Sequence, residues 1–452
     1  MTAAVASPVT TCLPAVVGAH LRVPLVTGGD VPYANLDLAA SAPALEDVAA
    51  HVARLLPYYS SVHRGAGYAS QVSTAVLESA RTQVGEFLGA RTDDVVVLTR
   101  NTTDALNLLA GAVPGEVVCL DVEHHANLLP WRERRVVAGR PTVAATLDAL
   151  EAELRARQAA LVAVTGASNV TGEVLPIARV AAIAHAAGAR IVLDAAQLAP
   201  HRRVDIAALD VDYVAVSGHK LYAPYGAGAL VGRRDWLDTA PPHLAGGGAV
   251  TEVRTDATLW AAAPHRHEGG TPNVLGAAAL AQACRTLAPV LDGPGPDHER
   301  ALLARLDAGL AHVPGLRTLR VWSADGHQAE TDQVAVRSFT IADRPAGYVA
   351  AYLSAEHGIG VRDGRFCAHP LLKRLCGPSG EALRVSIGIG TTEEHVDRLV
   401  EGLTTLVTRG ARWTYAPSGG RWAPTPDPRD LDPLGLSAQG PDTAQTGGPV
   451  CR

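Results

Sequence analysis

Short apolar runs alternate along most of the chain with longer stretches whose apolar positions recur every three to four residues. DDVVVLTR (93–100) reads as a buried strand, and NTTDALNLLAGAV (101–113) as an amphipathic helix that Thr102 or Thr103 can start. VVCLDVEHHAN (117–127) is a strand running into a loop, and ALVAVTGASNVTG (160–172) a strand and turn. PIARVAAIAHAAG (176–188) is a helix ending at Gly188; ARIVLDAAQ (189–197) is the next strand. VDYVAVSGHKLYAPYGAGALVG (211–232) reads as strand, glycine-rich loop, strand. Strands that are apolar throughout, with helices between them, predict a mainly parallel sheet covered on both faces.

The pattern changes near residue 285. PGLRTLRVW (314–322), QVAVRSFTI (333–341), GIGVRDG (358–364) and ALRVSIGIG (382–390) look like strands, with helices over 298–312 and 393–408. The fold expected is therefore α/β, a large domain plus a smaller α+β domain. We divide the chain into an irregular segment at 1–32, a large domain at 33–284, a small domain at 285–412 and a tail at 413–452. From Ser418 onward the tail is rich in Pro, Gly, Asp and Gln without a hydrophobic period, and is expected to be disordered.

Composition narrows the function. The 452 residues carry a formal charge of −6, which argues against a partner of nucleic acid or anionic membrane. No run of 18 apolar residues suggests a membrane span, and the start of the chain has no basic region resembling a signal peptide. Six cysteines lie scattered without zinc-ligand spacing, which suits reduced thiols in a cytoplasmic protein. Of the 39 basic residues only Lys220 and Lys373 are lysines. Arginine substitutes well on a solvated surface but cannot lose a proton and act as a nucleophile. Both lysines therefore invite the question of what an amine does there.

In an open α/β sheet, ligands sit beyond the carboxyl ends of the strands. Asp194 ends one predicted strand, with Gln197 three residues on; Ser217, His219 and Lys220 end another. Thr102 and Thr103 follow a third, and His124 and His125 a fourth. Singly, each reads as a cap or a solvated loop residue; four such strand ends in one sheet point to a site. An amine among apolar groups loses basicity and can form a Schiff base. A carboxylate can hold a pyridine nitrogen protonated, and a helix start with hydroxyls can hold phosphate. Together these groups point to pyridoxal 5′-phosphate (PLP). Lys373, in HPLLKRLCG, has no such setting and reads as an ordinary basic residue on a helix.

The segments SVHRG (61–65), EHHANLLPW (123–131), LDAAQ (193–197), SGHKLYAPYGAGAL (217–230), EGGTPN (268–273) and VRDGRFCAHP (361–370) resemble the class V aminotransferase superfamily of PLP fold type I. Within it they look most like SufS-type cysteine desulfurases and selenocysteine lyases. The resemblance implies a seven-stranded, mainly parallel sheet in the large domain and a homodimer. It implies that Lys220 carries PLP and moves the substrate's Cα proton, that Asp194 pairs with the pyridine nitrogen, and that Gln197 faces the phenolic oxygen. His124 would stack on the ring. Thr103, Ser217 and His219 would bind phosphate, with Thr271 reaching in from the second subunit. Asn169 and Arg384 would hold the substrate carboxylate, and His63 and Arg362 would line the entrance.

Cys367 would be the nucleophile that takes sulfur from L-cysteine, leaving a persulfide and releasing alanine; Arg362, Arg365 and His369 lie close in sequence. The chain departs from the pattern before this cysteine, reading Gly-Arg-Phe-Cys where SufS-type enzymes usually have Gly-His-His-Cys. The loop at 361–370 is short, as in the SufS group, so turnover would depend on a sulfur-acceptor protein or a reductant. The alternative is another class V reaction, by an aminotransferase, epimerase or C–S lyase, with Cys367 a bystander. A non-catalytic PLP-binding protein is a third reading, against which Lys220, Asp194 and Arg384 together count.

Overall fold

The computed structural model describes residues 13–63, 65–323 and 331–436. Its central sheet has seven strands: β1 (Val95–Thr99), β2 (Val117–Leu120), β3 (Arg134–Val137), β4 (Leu161–Thr165), β5 (Arg190–Asp194), β6 (Tyr213–Ser217) and β7 (Gly228–Gly232). Their order is β1-β7-β6-β5-β4-β2-β3. Only β7 runs antiparallel to its neighbours, so the mainly parallel sheet expected from the sequence is present.

Alternate residues of every strand but the edge strand β3 enter different cores, as the two-residue period of a strand requires. Val162 and Val164 pack in one core with α1 (Glu46–Leu55), α2 (Tyr68–Phe87), α4 (Val143–Ala156), α5 (Ile177–Ala186) and α6 (Val274–Leu291). Leu161 and Ala163 pack on the other face with α3 (Thr102–Ala110). The α3 cap is Asn101, whose side chain accepts from the Asp104 N–H at 3.0 Å; Thr102 is the first helical residue rather than the cap. Among the described residues, α6 alone is long and apolar enough to cross a membrane, yet most of it is buried against α1 and α2. It is a core helix of this fold.

The second unit has a four-stranded antiparallel sheet in the order β8 (Leu316–Thr318), β9 (Val336–Ile341), β11 (Ala382–Ser386), β10 (Arg362–Gly364). Its helices are α7 (Gly295–Ala311), α8 (Ala346–His357), α9 (His369–Cys376) and α10 (Glu393–Arg409). Lys373 lies exposed on α9.

Three expectations about organisation need correction. A boundary at 284/285 would cut α6, which continues to Leu291. Val26, Ala34 and Leu36 belong to the small-domain core, because Ala34 and Asn35 pair in parallel with Ile359 and Gly360. The tail begins later than composition suggests. Strands β12 (Tyr415–Ser418) and β13 (Arg421–Pro424) form a hairpin against α8. Buried Glu356 anchors it, accepting from the N–H groups of Arg412 and Trp413, both at 3.0 Å, and from the Tyr415 hydroxyl at 3.1 Å. Tyr348 meets Tyr415 and Trp422 edge-on. Three aromatic anchors thus outweigh a composition that otherwise favours disorder. The expectation for 437–452 lies outside the described residues, as do Cys12 and Cys451.

Candidate active site

The strand register brings several carboxyl ends to one edge of the sheet. Thr165 pairs with Asp194, Asp194 with Ala215, and Gly228 with both Ser217 and Thr99. At that edge, closed from the other side by β10 and β11, lies a cavity of about 290 Å³. Its lining contains Thr103, His124, Asn169, Asp194, Gln197, Ser217, His219, Lys220, Arg362, Cys367 and Arg384. The other two predicted residues, His63 and Thr271, lie elsewhere in the same chain. They share a second cavity of about 680 Å³ with His265 and Glu268.

Burial dominates the electrostatics. The Lys220 amine is pushed down to about 8, mainly by desolvation and despite the opposing Asp194 carboxylate. Its Nζ donates to Gln197 Oε1 over 3.5 Å, a long contact. Burial also raises the Asp194 carboxyl, against a hydrogen bond of 3.0 Å from the Ala196 N–H and the nearby lysine. Mutual attraction thus fails to repay the desolvation of either charge. His124 is pushed down to about 3, first by burial and then by Lys220, so its ring is neutral. Its Nδ1 accepts from the Ala126 N–H at 3.0 Å, which fixes the ring's direction.

Arg384 comes from β11 with a fully desolvated guanidinium. It donates to the Asn169 carbonyl and to Asp37 Oδ1, each at 3.1 Å. Asp37 was not visible as a site residue in the sequence: it lies 347 positions from its partner and follows no predicted strand. Phe366 was likewise unassigned; its ring lies 5.1 Å from the Arg384 guanidinium carbon.

Phe366 and Cys367 both adopt left-handed backbone, with φ of 50° and 54°. For residues with a Cβ this costs about 1–2 kcal/mol each. Two hydrogen bonds of 2.8 Å hold the conformation: Asn169 Nδ2 donates to the Phe366 carbonyl, and the His125 N–H to the Cys367 carbonyl. Strain held by its surroundings in this way commonly accompanies function.

Whether the donor set suits PLP is tested by its unpartnered atoms. Ser217 Oγ and Thr102 Oγ1 are buried without a hydrogen-bond partner, and both residues line the cavity. The first turn of α3 opens onto the same space. At Gly228 an added Cβ would lie 2.5 Å from the Val216 carbonyl oxygen and 2.8 Å from Asn101 Cα. The backbones meet closely there because no side chain intervenes. Free hydroxyls beside a helix start suit a phosphate, and a neutral-capable amine beside a carboxylate suits the aldehyde and pyridine of PLP. The residues present fit the group.

A family profile described as aminotransferase class-V matches residues 34–399. The chain belongs to that family. It is 36% identical over 389 residues to a cysteine desulfurase of Cronobacter sakazakii, covering 82% of this chain and 93% of that one. A probable cysteine desulfurase 2 of Mycobacterium leprae is 35% identical, over 76% of this chain and 84% of its own. Among solved structures, the cysteine desulfurase CsdA of Escherichia coli superposes with a TM-score of 0.72 at 33% identity, covering 82% and 94% of the two chains. The apo cysteine desulfurase of Thermococcus onnurineus NA1 gives 0.75 at 30% identity, covering 83% and 94%. The seven-stranded fold expected of the superfamily is thus shared with these relatives. The β12–β13 hairpin lies beyond the residues that the family profile matches.

Proposed function

We propose that this class-V family member is a PLP-dependent cysteine desulfurase that converts L-cysteine to L-alanine and passes the sulfur on from Cys367. The observation that carries the reading is that Cys367, Lys220 and Arg384 line one cavity. The relatives named above support the same reaction.

PLP, when bound, withdraws electrons from the Cα of an attached amino acid and so makes its Cα proton removable. Thr102, Thr103, Ser217 and His219 would hold its phosphate, Asp194 its pyridine nitrogen, and Gln197 its phenolic oxygen. The neutral ring of His124 would cover its face. Lys220 carries the attachment and, once free, moves the Cα proton; a lowered pKa suits both tasks. Arg384 and Asn169 bind the substrate carboxylate, with Arg362 at the entrance. The Cys367 thiolate attacks the substrate sulfur. An S–S bond forms as the substrate's Cβ–S bond breaks, and the electron pair left on carbon takes a proton to complete alanine. The persulfide returns to thiol when an acceptor thiol or reductant removes the outer sulfur.

The protein is proposed to act as a homodimer in the cytoplasm. His63 and Thr271 lie apart from the cavity of their own chain, and in a dimer they would meet the partner's. Leu244, exposed and lining a cavity together with Thr271, suits such a contact.

The test is to give the PLP-loaded protein L-cysteine and measure alanine and sulfide with and without a reductant. Equal alanine and reductant-released sulfide are expected, both lost in Cys367→Ser while the PLP absorbance persists. Unchanged turnover in Cys367→Ser would sink the nucleophile assignment.

A further inference from the structure

His125 lies beside the cavity rather than on its lining, and the mechanism above gives it no task. It grips the cysteine loop at two points. Its backbone N–H donates to the Cys367 carbonyl at 2.8 Å. Its ring Nε2 accepts from the His369 N–H at a longer 3.4 Å. One residue thus brackets Ala368, the residue that follows Cys367, by holding the peptide groups on either side of it. The ring of His369 closes on that of His125 edge-on, with centroids 4.5 Å apart. His369 Nε2 is buried without a hydrogen-bond partner, so the ring packs there through its face and edge.

We propose that His125 is a positioning residue that holds the Cys367 sulfur in line for attack through the neutral, accepting Nε2 of its ring. The proposal rests on the functional reading of Cys367. The contact assigns the ring proton to Nδ1, because Nε2 must offer its lone pair to a backbone N–H. Burial and the neighbouring His369 both lower the ring's basicity, which favours this neutral form. The left-handed φ of Cys367 supplies the need. Without the ring contact the peptide between Ala368 and His369 is released, and Cys367, one residue earlier, is held only through its own carbonyl, so its sulfur can shift away from the substrate. A displacement of about 1 Å in a reacting group can cost 10²-fold in rate.

The side chain is tested by His125→Ala and His125→Gln, both of which keep the backbone N–H. Glutamine restores an acceptor near the position of Nε2. In the PLP-loaded protein, alanine formation from L-cysteine should fall roughly tenfold to a hundredfold in kcat for the alanine variant. KM and the PLP absorbance should stay near wild type, and glutamine should recover most of the rate. In parallel, the iodoacetamide alkylation rate of Cys367 should change in His125→Ala and return in His125→Gln. Wild-type kcat and alkylation in His125→Ala would overturn the proposal, as would equal loss in both variants. If the wild-type protein makes no alanine, the functional reading fails, while the alkylation contrast still decides whether the ring holds Cys367.

Discussion

The Lys220 amine can be weighed directly on the stability of the PLP-free protein. Its drop from 10.5 to about 8 makes the buried ammonium a destabilising group. That difference is worth about 3 kcal/mol at neutral pH. It is an upper figure, because Lys220 retains intermediate exposure to the cavity. The sign follows from proton uptake. Between pH 8 and 10.5 the unfolded chain holds this proton more tightly than the folded one, so stability rises with pH across that window. Below pH 8 both forms are charged and the full penalty applies.

Replacing the amine by a thioether of similar length, Lys220→Met, removes the penalty. The PLP-free variant should be more stable than the PLP-free wild type by up to about 3 kcal/mol at pH 7. The gap should shrink to about 1 kcal/mol at pH 9.5, where the folded lysine is already neutral. Urea denaturation of both proteins at the two pH values gives the four free energies. Comparing the two gaps cancels every other titrating group that the substitution leaves alone. A gap that does not change with pH, or a variant less stable than wild type at pH 7, would refute the argument that desolvation of Lys220 sets its basicity. The substitution also abolishes PLP attachment, so the stability gained is stability given up for chemistry.

The orphaned hydroxyls predict that Ser217→Ala and Thr102→Val each weaken PLP binding by about tenfold, the worth of one hydrogen bond to a charged group; absorbance titration of the PLP-free protein with PLP reads this, and unchanged affinity in both would remove them from the phosphate site. Arg384→Lys keeps the charge but loses the planar fork, so KM for L-cysteine should rise about tenfold or more with the PLP band intact; an unchanged KM would place the substrate carboxylate elsewhere. Glu356→Ala strands two backbone N–H groups and the Tyr415 hydroxyl, and should lower stability by about 2 to 3 kcal/mol. Limited proteolysis should then cut near residue 410, and resistance equal to wild type would show that aromatic packing alone holds the hairpin.

Six of the seven strands of the large sheet were legible because they are apolar on both faces and lie among helical periods; the edge strand β3, Arg-Arg-Val-Val with Arg134 and Val136 exposed, carried no such signal. The row of polar groups at the sheet's edge was legible too, since Asp194, Ser217 and Lys220 each end or follow an apolar strand. The cysteine loop and Arg384 came instead from ordered motifs resembling a known family. Asp37 stayed hidden because an ion pair 347 residues apart leaves no local periodicity. The left-handed pair at Phe366 and Cys367 stayed hidden for a related reason. Neither residue favours that backbone, and tertiary hydrogen bonds impose it. The hairpin at 415–424 was obscured by its prolines and glycines, though Trp413, Tyr415 and Trp422 were the signal that composition averaged away.

The parallel pairing of Ala34 and Asn35 with Ile359 and Gly360 has a consequence for how the molecule is made. During synthesis the chain emerges from its amino end, and domains fold as units when their parts are present. All strands of the large sheet lie between residues 95 and 232, so they have emerged well before the chain is finished. The stretch from Val26 to Leu36 must wait, its apolar side chains without their partners, until more than three hundred further residues have followed. Arg384, drawn to Asp37 by the same closure, arrives among the last residues of the family fold. The binding cavity is therefore among the last features to form, and a chain stalled or truncated before β11 carries the lysine but cannot present the arginine.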